Sequence, residues 1–349
     1  MRYRLLRWLS CPHCPDEELV LETTKTRTTA TYTGAWRPED VGEKGVDLDR
    51  QLHTDILEGA LHCPSCARVY PIVDGIPRLL PDATVQSPSS GHRWTTFDGT
   101  EPEYEENFRD MADPLKPPDY VGQLVLDAGC GFGRHAFYAA RYGAEVVAMD
   151  ISADAVASAQ SNCDRLQHVH IVQGDLRKPP LKARSFDLVY CFGVLHHIQA
   201  PQAAFKVLGE LVKPNGRVQL WAYGPRAGSA AVISGALRGA AATMDDERLY
   251  GLCRAIASSL RLFSHTPYRL TRKLPVLGSI ASHLPAHDHH KWPFDVVVAD
   301  IYDRLRVPVT ATFTGEELER WFVDEGYADI RVTRRVRNNE SFRATGVRR

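Results

Sequence analysis

The sequence lacks any uninterrupted apolar run of about 18 residues, the length that a membrane-spanning helix needs. We therefore expect no membrane span and no membrane partner. An excess of charge of one sign is missing too, since 42 Lys and Arg stand against 43 Asp and Glu and leave a net charge of −1. Because the chain creates no overall basic field, its composition does not favour nucleic acid as a partner.

The first residues also lack the unbroken apolar core of a secretory signal peptide. The segment from Met1 to Cys11 carries positive charge, and Arg7 interrupts its apolar residues. We predict a cytoplasmic protein, in which thiols stay reduced. The length of 349 residues suits two domains, or one domain with an insertion.

A glycine-rich turn at 129–133 is the most informative feature that the sequence does have. The apolar run Leu124 to Ala128 predicts a buried strand, and Gly129, Gly131 and Gly133 separate it from a predicted helix. Glycines let the backbone pass close to a ligand. The helix start offers N–H groups to a polar ligand. This pattern indicates a nucleotide-type cofactor.

Four further strands are predicted after this turn, at 144–150, 168–176, 185–197 and 217–223, with helical stretches at 152–164 and 201–211 between them. Alternating strands and helices predict a doubly wound parallel sheet. Ligands of such sheets bind at the carboxyl ends of the strands. The polar residues expected at that edge are Asp127, Asp150, Asp175, His196 and His197.

These segments resemble the class I S-adenosylmethionine-dependent methyltransferases, of the type 11 or UbiE-like kind, from about residue 120 to 225. The motifs LDAGCGFGRH, AMD, QGDL, SFDLVYCFGVLHHI and KPNGRV carry the resemblance. It implies an α/β fold with a Rossmann-like seven-stranded sheet. A nicotinamide dinucleotide fold is the alternative, but its fingerprint requires glycine where this chain has Arg134.

The resemblance also implies which residues bind S-adenosylmethionine. Asp150 would hold the ribose, Asp175 and Leu176 would frame the adenine, and the glycine turn would face the methionine part. The full predicted set is Asp127, Gly129, Cys130, Gly131, Gly133, Asp150, Ile151, Asp175, Leu176, Phe192 and Trp94. Trp94 belongs to an aromatic and acidic segment that either lies over the cofactor, as in similar fused methyltransferases, or packs on the sheet.

Four cysteines form two CxxC pairs, Cys11 with Cys14 and Cys63 with Cys66. Two residues between thiols allow both sulfurs to reach one tetrahedral ion, so the pairs predict a Zn²⁺ site. A disulfide or a redox CxxC is the alternative. His13 lies between the first two cysteines, and we expect it to be exposed rather than coordinating.

The segment from residue 5 to 82 resembles the small zinc-binding activator subunit of tRNA, rRNA and protein methyltransferases. The resemblance implies a structural, closed zinc site. We predict a zinc-ribbon-like, β-rich module at 1–82, a linker and cofactor-covering helix at 83–119, and a methyltransferase domain at 120–349. A helical lid is expected as an insertion at about 225–308, and antiparallel strands are expected to close the fold.

Methyl transfer requires a base only when the acceptor is a hydroxyl or a protonated amine. His196 and His197 end the fourth strand and Tyr223 ends the fifth, so these three are the catalytic candidates; packing roles are the alternative. The leading hypothesis is methylation of a hydroxyl or amine of a small molecule, such as a sugar or a secondary metabolite. RNA methylation and a protein-docking role for the zinc module are the alternatives.

Two further clusters leave alternatives open. His283, His287, His289 and His290 lie in a proline-rich stretch, which favours a solvated loop over a second metal site. The C-terminal segment is locally basic, which indicates either an RNA footprint or a charged strand edge; its arginines are Arg331, Arg334, Arg335, Arg337, Arg343, Arg348 and Arg349.

Overall fold

The structure is a computed structural model, and it describes residues 1–15, 17–28, 54–81, 102–225, 229–306, 311–335 and 341–349. Trp94 and most of the predicted linker lie outside these residues. The predicted cofactor-covering role of Trp94 therefore stays a prediction. The described residues form two sheets, and a group of helices follows strand five of the larger sheet.

The N-terminal sheet is antiparallel and, within the described ranges, contains four strands in the order of the chain. These are β1 (Val20–Thr28), β2 (Thr54–His62), β3 (Val69–Val73) and β4 (Ile76–Pro77). One face of the sheet is apolar: Ile56 and Leu61 of β2 are fully buried, whereas most of β1 is exposed. The predicted β-rich module is confirmed.

The larger sheet has seven strands among the described residues, in the order β10-β11-β9-β8-β5-β6-β7. The strands are β5 (Leu124–Ala128), β6 (Glu145–Asp150), β7 (Val169–Gln173), β8 (Phe186–Phe192), β9 (Val212–Tyr223), β10 (Ala328–Arg334) and β11 (Ser341–Val347). Strands β5 to β9 are parallel, while β11 runs antiparallel between β9 and β10. The predicted doubly wound sheet with antiparallel final strands is confirmed.

The α-helices of the described residues are α1 (Pro102–Ala112), α2 (Arg134–Arg141), α3 (Ala153–Cys163), α4 (Pro201–Glu210), α5 (Ser229–Ala242), α6 (Asp246–Leu260), α7 (Thr266–Thr271), α8 (Pro275–Ala281), α9 (Phe294–Arg306) and α10 (Gly315–Asp324). Helix α10 begins at Gly315, directly after its N-cap Thr314. The reason is a capping box, in which Thr314 accepts from the Glu317 backbone N–H and Glu317 accepts from that of Thr314.

Helices α5 to α9 form the helical insertion that the sequence predicts after strand five, and it is called the lid below after its expected role. Their mutual contacts create a separate apolar core around Leu249, Cys253, Val298 and Tyr302. The Tyr302 hydroxyl donates a 2.8 Å hydrogen bond to Asp246, which joins α9 to α6. The lid therefore has a core of its own, distinct from the cores on the two faces of the sheet.

The N-terminal module packs directly on the edge strand β7. The Leu79 backbone N–H donates to the Gln173 carbonyl at 2.9 Å, and Ser10 makes a 3.0 Å backbone bond to Pro180. Leu5 and Leu9 belong to the same apolar core as one face of the large sheet. The module thus covers an edge that would otherwise expose unpaired backbone groups.

Three of the six described arginines in the basic C-terminal segment form internal contacts, whereas Arg331, Arg334 and Arg349 are exposed. Arg335 and Arg343 are buried, and both form salt bridges with Asp110 of α1. Arg348 donates to the carbonyls of Gly209 and Val212. These three arginines form neither an RNA footprint nor a charged strand edge, because they attach the final hairpin to its neighbours. Arg337 lies outside the described residues.

Candidate cofactor and metal sites

The four paired cysteines converge in the N-terminal module. Their sulfur atoms all lie within 4.8 Å of one another, and the Sγ atoms of Cys11 and Cys66 are 3.7 Å apart. A tetrahedral ion with Zn–S bonds of about 2.3 Å separates its sulfurs by about 3.8 Å. No disulfide joins the cysteines, since all eight are free thiols in the structure. The four thiols fit a closed Zn²⁺ site.

Tyr70 is a second-sphere partner of this cluster that the sequence reasoning missed. Its buried hydroxyl lies 3.2 Å from Cys11 Sγ. A hydroxyl that donates to a thiolate orients the ligand and stabilises its charge. A backbone N–H of Arg68 lowers the pKa of Cys66 to about 7. His13 is exposed and bonds the Pro81 carbonyl at 2.8 Å, as expected for a residue outside the metal site.

The glycine turn is folded tightly at the end of β5. Gly129 and Gly133 have φ angles of +87° and +82°, which disfavour any side chain. A Cβ on Gly129 would lie 2.3 Å from Val194, and one on Gly133 would lie 3.0 Å from Ala159 of α3. The turn ends at α2, whose N-cap Gly133 supplies no side-chain cap. This helix start therefore presents backbone N–H groups at the edge where a ligand is expected.

Asp127 is the most buried carboxylate at this edge, with 1% of its surface exposed. Burial raises its pKa to about 8, although the Tyr190 hydroxyl and the Ala136 backbone N–H act in the opposite direction. Its Oδ2 atom has no hydrogen-bond partner within the described part of the chain. An orphaned buried acceptor of this kind fits a cationic or N–H-bearing ligand group.

Asp150 occupies the position that the resemblance assigns to the ribose. Its two oxygens accept 2.9 Å bonds from the backbone N–H groups of Gly131 and Ser152. Each carboxylate oxygen has a second lone pair, so the oriented carboxylate retains capacity for a hydroxyl donor. Ile151 follows it, and its carbonyl accepts a 2.9 Å bond from Gln173.

Asp175 lies at the end of the third parallel strand, where adenine is expected, but it already has a partner. The Arg177 guanidinium donates to both carboxylate oxygens, with a shortest distance of 2.6 Å. Leu176 beside it is buried. The sequence reasoning missed Arg177, although an arginine two residues beyond the acid was the available signal. An adenine at this position would share Asp175 with Arg177 or displace it.

The three catalytic candidates form one aromatic cluster. The His196 ring lies between His197 and Tyr223, with centroid distances of 4.2 and 4.4 Å. His196 is fully buried, whereas His197 and Tyr223 are half-buried. Burial lowers the pKa of His196 well below its ordinary value, with further lowering from His197 and from Arg238 of α5. The His196 imidazole is therefore neutral at physiological pH.

Aromatic side chains fill the space beside this cluster. Phe192 stacks on Tyr190 at 4.8 Å, and Phe108 of α1 packs on both rings. Cys130 is buried in the same region. The described part of the predicted covering segment, helix α1, therefore packs on the sheet through Phe108.

The lid reaches the same edge of the sheet. Val296 of α9 and Trp292 just before it pack on the core that contains Phe132 and Phe192. The Trp292 ring stacks on His289 at 3.9 Å, and the rings of His287 and His290 pack against Tyr268. Three of the four histidines of the lid therefore pack on aromatic rings. Within the described residues, the four cysteines are the metal-ligand cluster.

Two family models match the chain in separate regions. Residues 126–220 match the "Methyltransferase domain" family, and residues 2–75 match the "Trm112p-like protein" family. The first match begins within β5, contains its glycine turn, and ends within β9. The second contains all four paired cysteines.

Curated relatives match parts of the chain. An uncharacterised protein of Synechococcus sp. is 28% identical over 60% of this chain and 48% of its own length. The ubiquinone biosynthesis O-methyltransferase of Albidiferax ferrireducens is 36% identical over 28% of this chain and 40% of its own. Phosphoethanolamine N-methyltransferase 3 of Arabidopsis thaliana is 34% identical over 35% of this chain and 24% of its own length. The chain thus spans about half or less of these relatives.

Among solved structures, a SAM-dependent methyltransferase from Aquifex aeolicus covers 74% of this chain and 98% of its own, at 14% identity and a TM-score of 0.43. The structure of magnesium protoporphyrin IX methyltransferase from Synechocystis, with bound SAH, covers 74% of this chain and 84% of its own, at 18% identity and a TM-score of 0.40. The two family matches concern separate segments: residues 2–75 are similar to the Trm112p-like family, and residues 126–220 are similar to the methyltransferase-domain family.

Proposed function

We propose that this chain is an S-adenosylmethionine-dependent methyltransferase that acts on a hydroxyl or amine of a small molecule, of the sugar or secondary-metabolite type. One observation carries the proposal. The glycine turn, Asp127, Asp150 and Asp175 meet at one edge of a methyltransferase-type sheet, beside the cluster of His196, His197 and Tyr223. When bound, the cofactor supplies a methyl group on a sulfonium centre, already activated for in-line displacement.

The protein's own residues then bind and orient the two reactants. Asp150 would hold the ribose hydroxyls, since its carboxylate is fixed by two backbone N–H groups. Asp127 would accept from a cationic or N–H group of the cofactor, because its buried Oδ2 has no partner among the described residues. Asp175 and Leu176 would border the adenine. Positioning and exclusion of water by the lid supply most of the rate enhancement.

Burial distinguishes the roles of the two histidines. His197 is only partly buried, so it is the more accessible of the two to an acceptor hydroxyl or ammonium, and it is the candidate general base. His196 is fully buried between His197 and Tyr223 and acts as a positioning residue. Tyr223 is half-buried and orients the acceptor.

The acceptor class rests on the lid and on the activities for which two relatives are named. The lid has its own core and packs over the carboxyl edge of the sheet, which suits enclosure of a small acceptor. The relatives include an O-methyltransferase of ubiquinone biosynthesis and an N-methyltransferase of phosphoethanolamine. Oxygen and nitrogen acceptors both remain within the proposal.

Two observations make the alternatives less favourable. Arg335, Arg343 and Arg348 hold the final hairpin in place, which removes them from an RNA-binding surface. The zinc module docks on β7 of its own chain, which occupies part of the surface that a protein-docking role requires. Zinc is proposed as a structural ion, because four thiolates leave no open coordination position.

Fractionation of a labelled extract tests the acceptor class. Purified protein is incubated with methyl-labelled S-adenosylmethionine and a cell extract, which is then separated into RNA, protein and small-molecule fractions. We expect label in the small-molecule fraction with wild-type protein and its loss with His197→Ala. An exposed histidine away from the site, His13→Ala, serves as the matched control. Label in RNA or protein would overturn the small-molecule proposal.

A further inference from the structure

The outer end of the lid exposes a cluster of large apolar side chains. Leu262 and Phe263 follow α6 and are 62% and 70% exposed, and Leu270 of α7 is 75% exposed. Val276, Leu277 and Ile280 of α8 are 71%, 50% and 64% exposed, and Leu274 just before this helix is 48% exposed. Single exposed apolar residues are common, but seven within Leu262–Ile280 form a patch that indicates an interaction site.

The same segment is basic and contains no acid. Between Glu247 and Asp288 the chain has six Arg and Lys residues and no Asp or Glu. Arg261, Arg269, Arg272 and Lys273 are exposed. None of these four forms a salt bridge with any residue that the structure describes. The patch therefore combines apolar side chains with uncompensated positive charge.

The helices that carry the patch bury little of their own surface. Helix α7 has no buried residue, and α8 buries only Gly278 and Ala281. Helices this short depend on burial of an apolar face for their stability. Their large apolar residues point away from the protein, so the segment gains stabilisation when an external surface covers them.

We propose that the lid segment Arg261–Ile280 docks on an anionic phospholipid surface. Exposed apolar side chains flanked by Arg and Lys are what such an interface binds, since the apolar groups enter the acyl boundary and the cations pair with anionic headgroups. The contact is peripheral, because no helix among the described residues is long and apolar enough to cross a membrane.

Charge favours this occupant over a second copy of the chain. In a symmetric dimer, the segment would face its own copy and bring the cations of both chains together. An anionic bilayer offers negatively charged headgroups for the cations and an apolar acyl region for the exposed side chains. The composition of the chain predicts no membrane partner, and this proposal differs from that expectation because an average composition does not reveal a local patch. It does not depend on the proposed methyl acceptor.

Vesicle co-sedimentation of the zinc-loaded full chain tests the proposal. Vesicles are prepared from phosphatidylcholine alone or from an equal mixture with phosphatidylglycerol. We expect the bound fraction to be ~10-fold higher on the anionic vesicles at low salt and to fall as salt rises. Circular dichroism of each variant verifies folding before the assay.

Two lid variants separate the apolar from the electrostatic contribution. The apolar variant combines Leu262→Ser with Phe263→Ser, and we expect it to lose most vesicle binding. The charge variant combines Arg269→Gln, Arg272→Gln and Lys273→Gln, and we expect it to lose the preference for anionic lipid. Val20→Ser with Val121→Ser, at exposed positions outside the lid, should bind like wild type. Absence of vesicle binding, or equal binding by the lid variants, would overturn the proposal. A dimer that depends on the lid and does not bind vesicles, detected by light scattering, would also overturn the proposal.

Discussion

At the scale of single residues, Asp127 illustrates a conflict between stability and binding. The carboxyl is buried, its pKa is raised to about 8, and its Oδ2 is unpaired within the described chain. In the unfolded state the group titrates near its ordinary value of 3.8. Folding therefore binds a proton between these two pH values, and Asp127 destabilises the fold increasingly as pH rises from about 4 to about 8.

Replacement of Asp127 by Asn should remove this pH-dependent loss of folding stability. We expect Asp127→Asn to raise the free energy of unfolding by roughly 1–3 kcal/mol at pH 8 and to change it little at pH 4. At pH above 8, where the Asp127 carboxyl is ionised, the same variant should bind S-adenosylmethionine about tenfold more weakly, because a neutral amide replaces the carboxylate acceptor. Urea unfolding at both pH values and calorimetric titration measure the two effects. Equal stability changes at pH 4 and pH 8 would contradict the assigned protonation.

The sequence predicts which residues meet at the site better than it predicts their partners. Tyr223 ends β9, whereas His196 and His197 lie in a 3-10 turn at Leu195–His197 rather than in the strand that the sequence predicts to reach residue 197, since β8 ends at Phe192. Because β8 and β9 are neighbouring parallel strands, topology still brings the three side chains together. Arg177 and Tyr70 were missed because their contacts depend on side-chain direction, which strand periodicity does not encode.

At the scale of elements, helix α1 is attached to the sheet by polar contacts that pattern analysis does not reveal. Gln219 of β9 is fully buried, and its amide donates to the carbonyls of Met111 and Asp113 at 3.3 and 3.1 Å. Arg335 and Arg343 hold Asp110 from the adjacent side. These contacts fix the last turn of α1, whose carbonyls have no intrahelical partners.

Gln219→Leu should loosen α1 because buried carbonyls then lose their donor. We expect destabilisation of about 1–3 kcal/mol. Hydrogen exchange in α1 should accelerate, while exchange in α10 at the other side of the sheet should stay unchanged. Mass spectrometry of exchange reads both helices in one experiment. Equal acceleration in the two helices would indicate global unfolding rather than local release of α1.

The lid shows where element-level prediction ends. Its helical content follows from spacing, and the Asp245 side chain caps α6 as its position suggests. Its arrangement depends on contacts between distant segments, such as Tyr302 with Asp246. No periodic pattern specifies those pairings, so the sequence predicts helices without their packing.

At the scale of the whole molecule, the two domains share one core. Leu5, Leu9 and Ile56 of the zinc module belong to the same cluster as Leu126 and Val189 of the large sheet. Beside this core, Arg4 of the module donates to Glu145 of β6 at 2.6 Å.

The buried ion pair at this boundary includes a third group. His170 of β7 lies 2.9 Å from Glu145, and all three side chains are at most 9% exposed. Burial raises the pKa of Glu145, but His170 and Arg4 together hold it below its ordinary value. Glu145 is therefore charged, and it depends on a partner from the other domain.

Loss of that partner should destabilise both domains together. We expect Arg4→Met to lower stability by about 3–5 kcal/mol, because the Glu145 charge is left buried without its cation. Zinc removal by a chelator should likewise lower the melting temperature of the entire chain in one transition. Lys25→Met, which breaks an exposed ion pair with Glu58, is the matched control and should leave stability nearly unchanged, because solvent screens that pair. Two separate calorimetric transitions would show that the domains unfold independently.

Equilibrium dialysis of labelled S-adenosylmethionine tests the central claim most directly. The claim is that the carboxyl edge of this sheet, with Asp150 at the ribose position, binds the cofactor. We predict saturable binding by the wild-type chain at one site per molecule, weakened about 100-fold by Asp150→Ala, because two charge-assisted hydrogen bonds are lost. The exposed Asp154→Ala in the first turn of α3 should bind like wild type. No binding by the wild type, or equal binding by Asp150→Ala, would contradict the account.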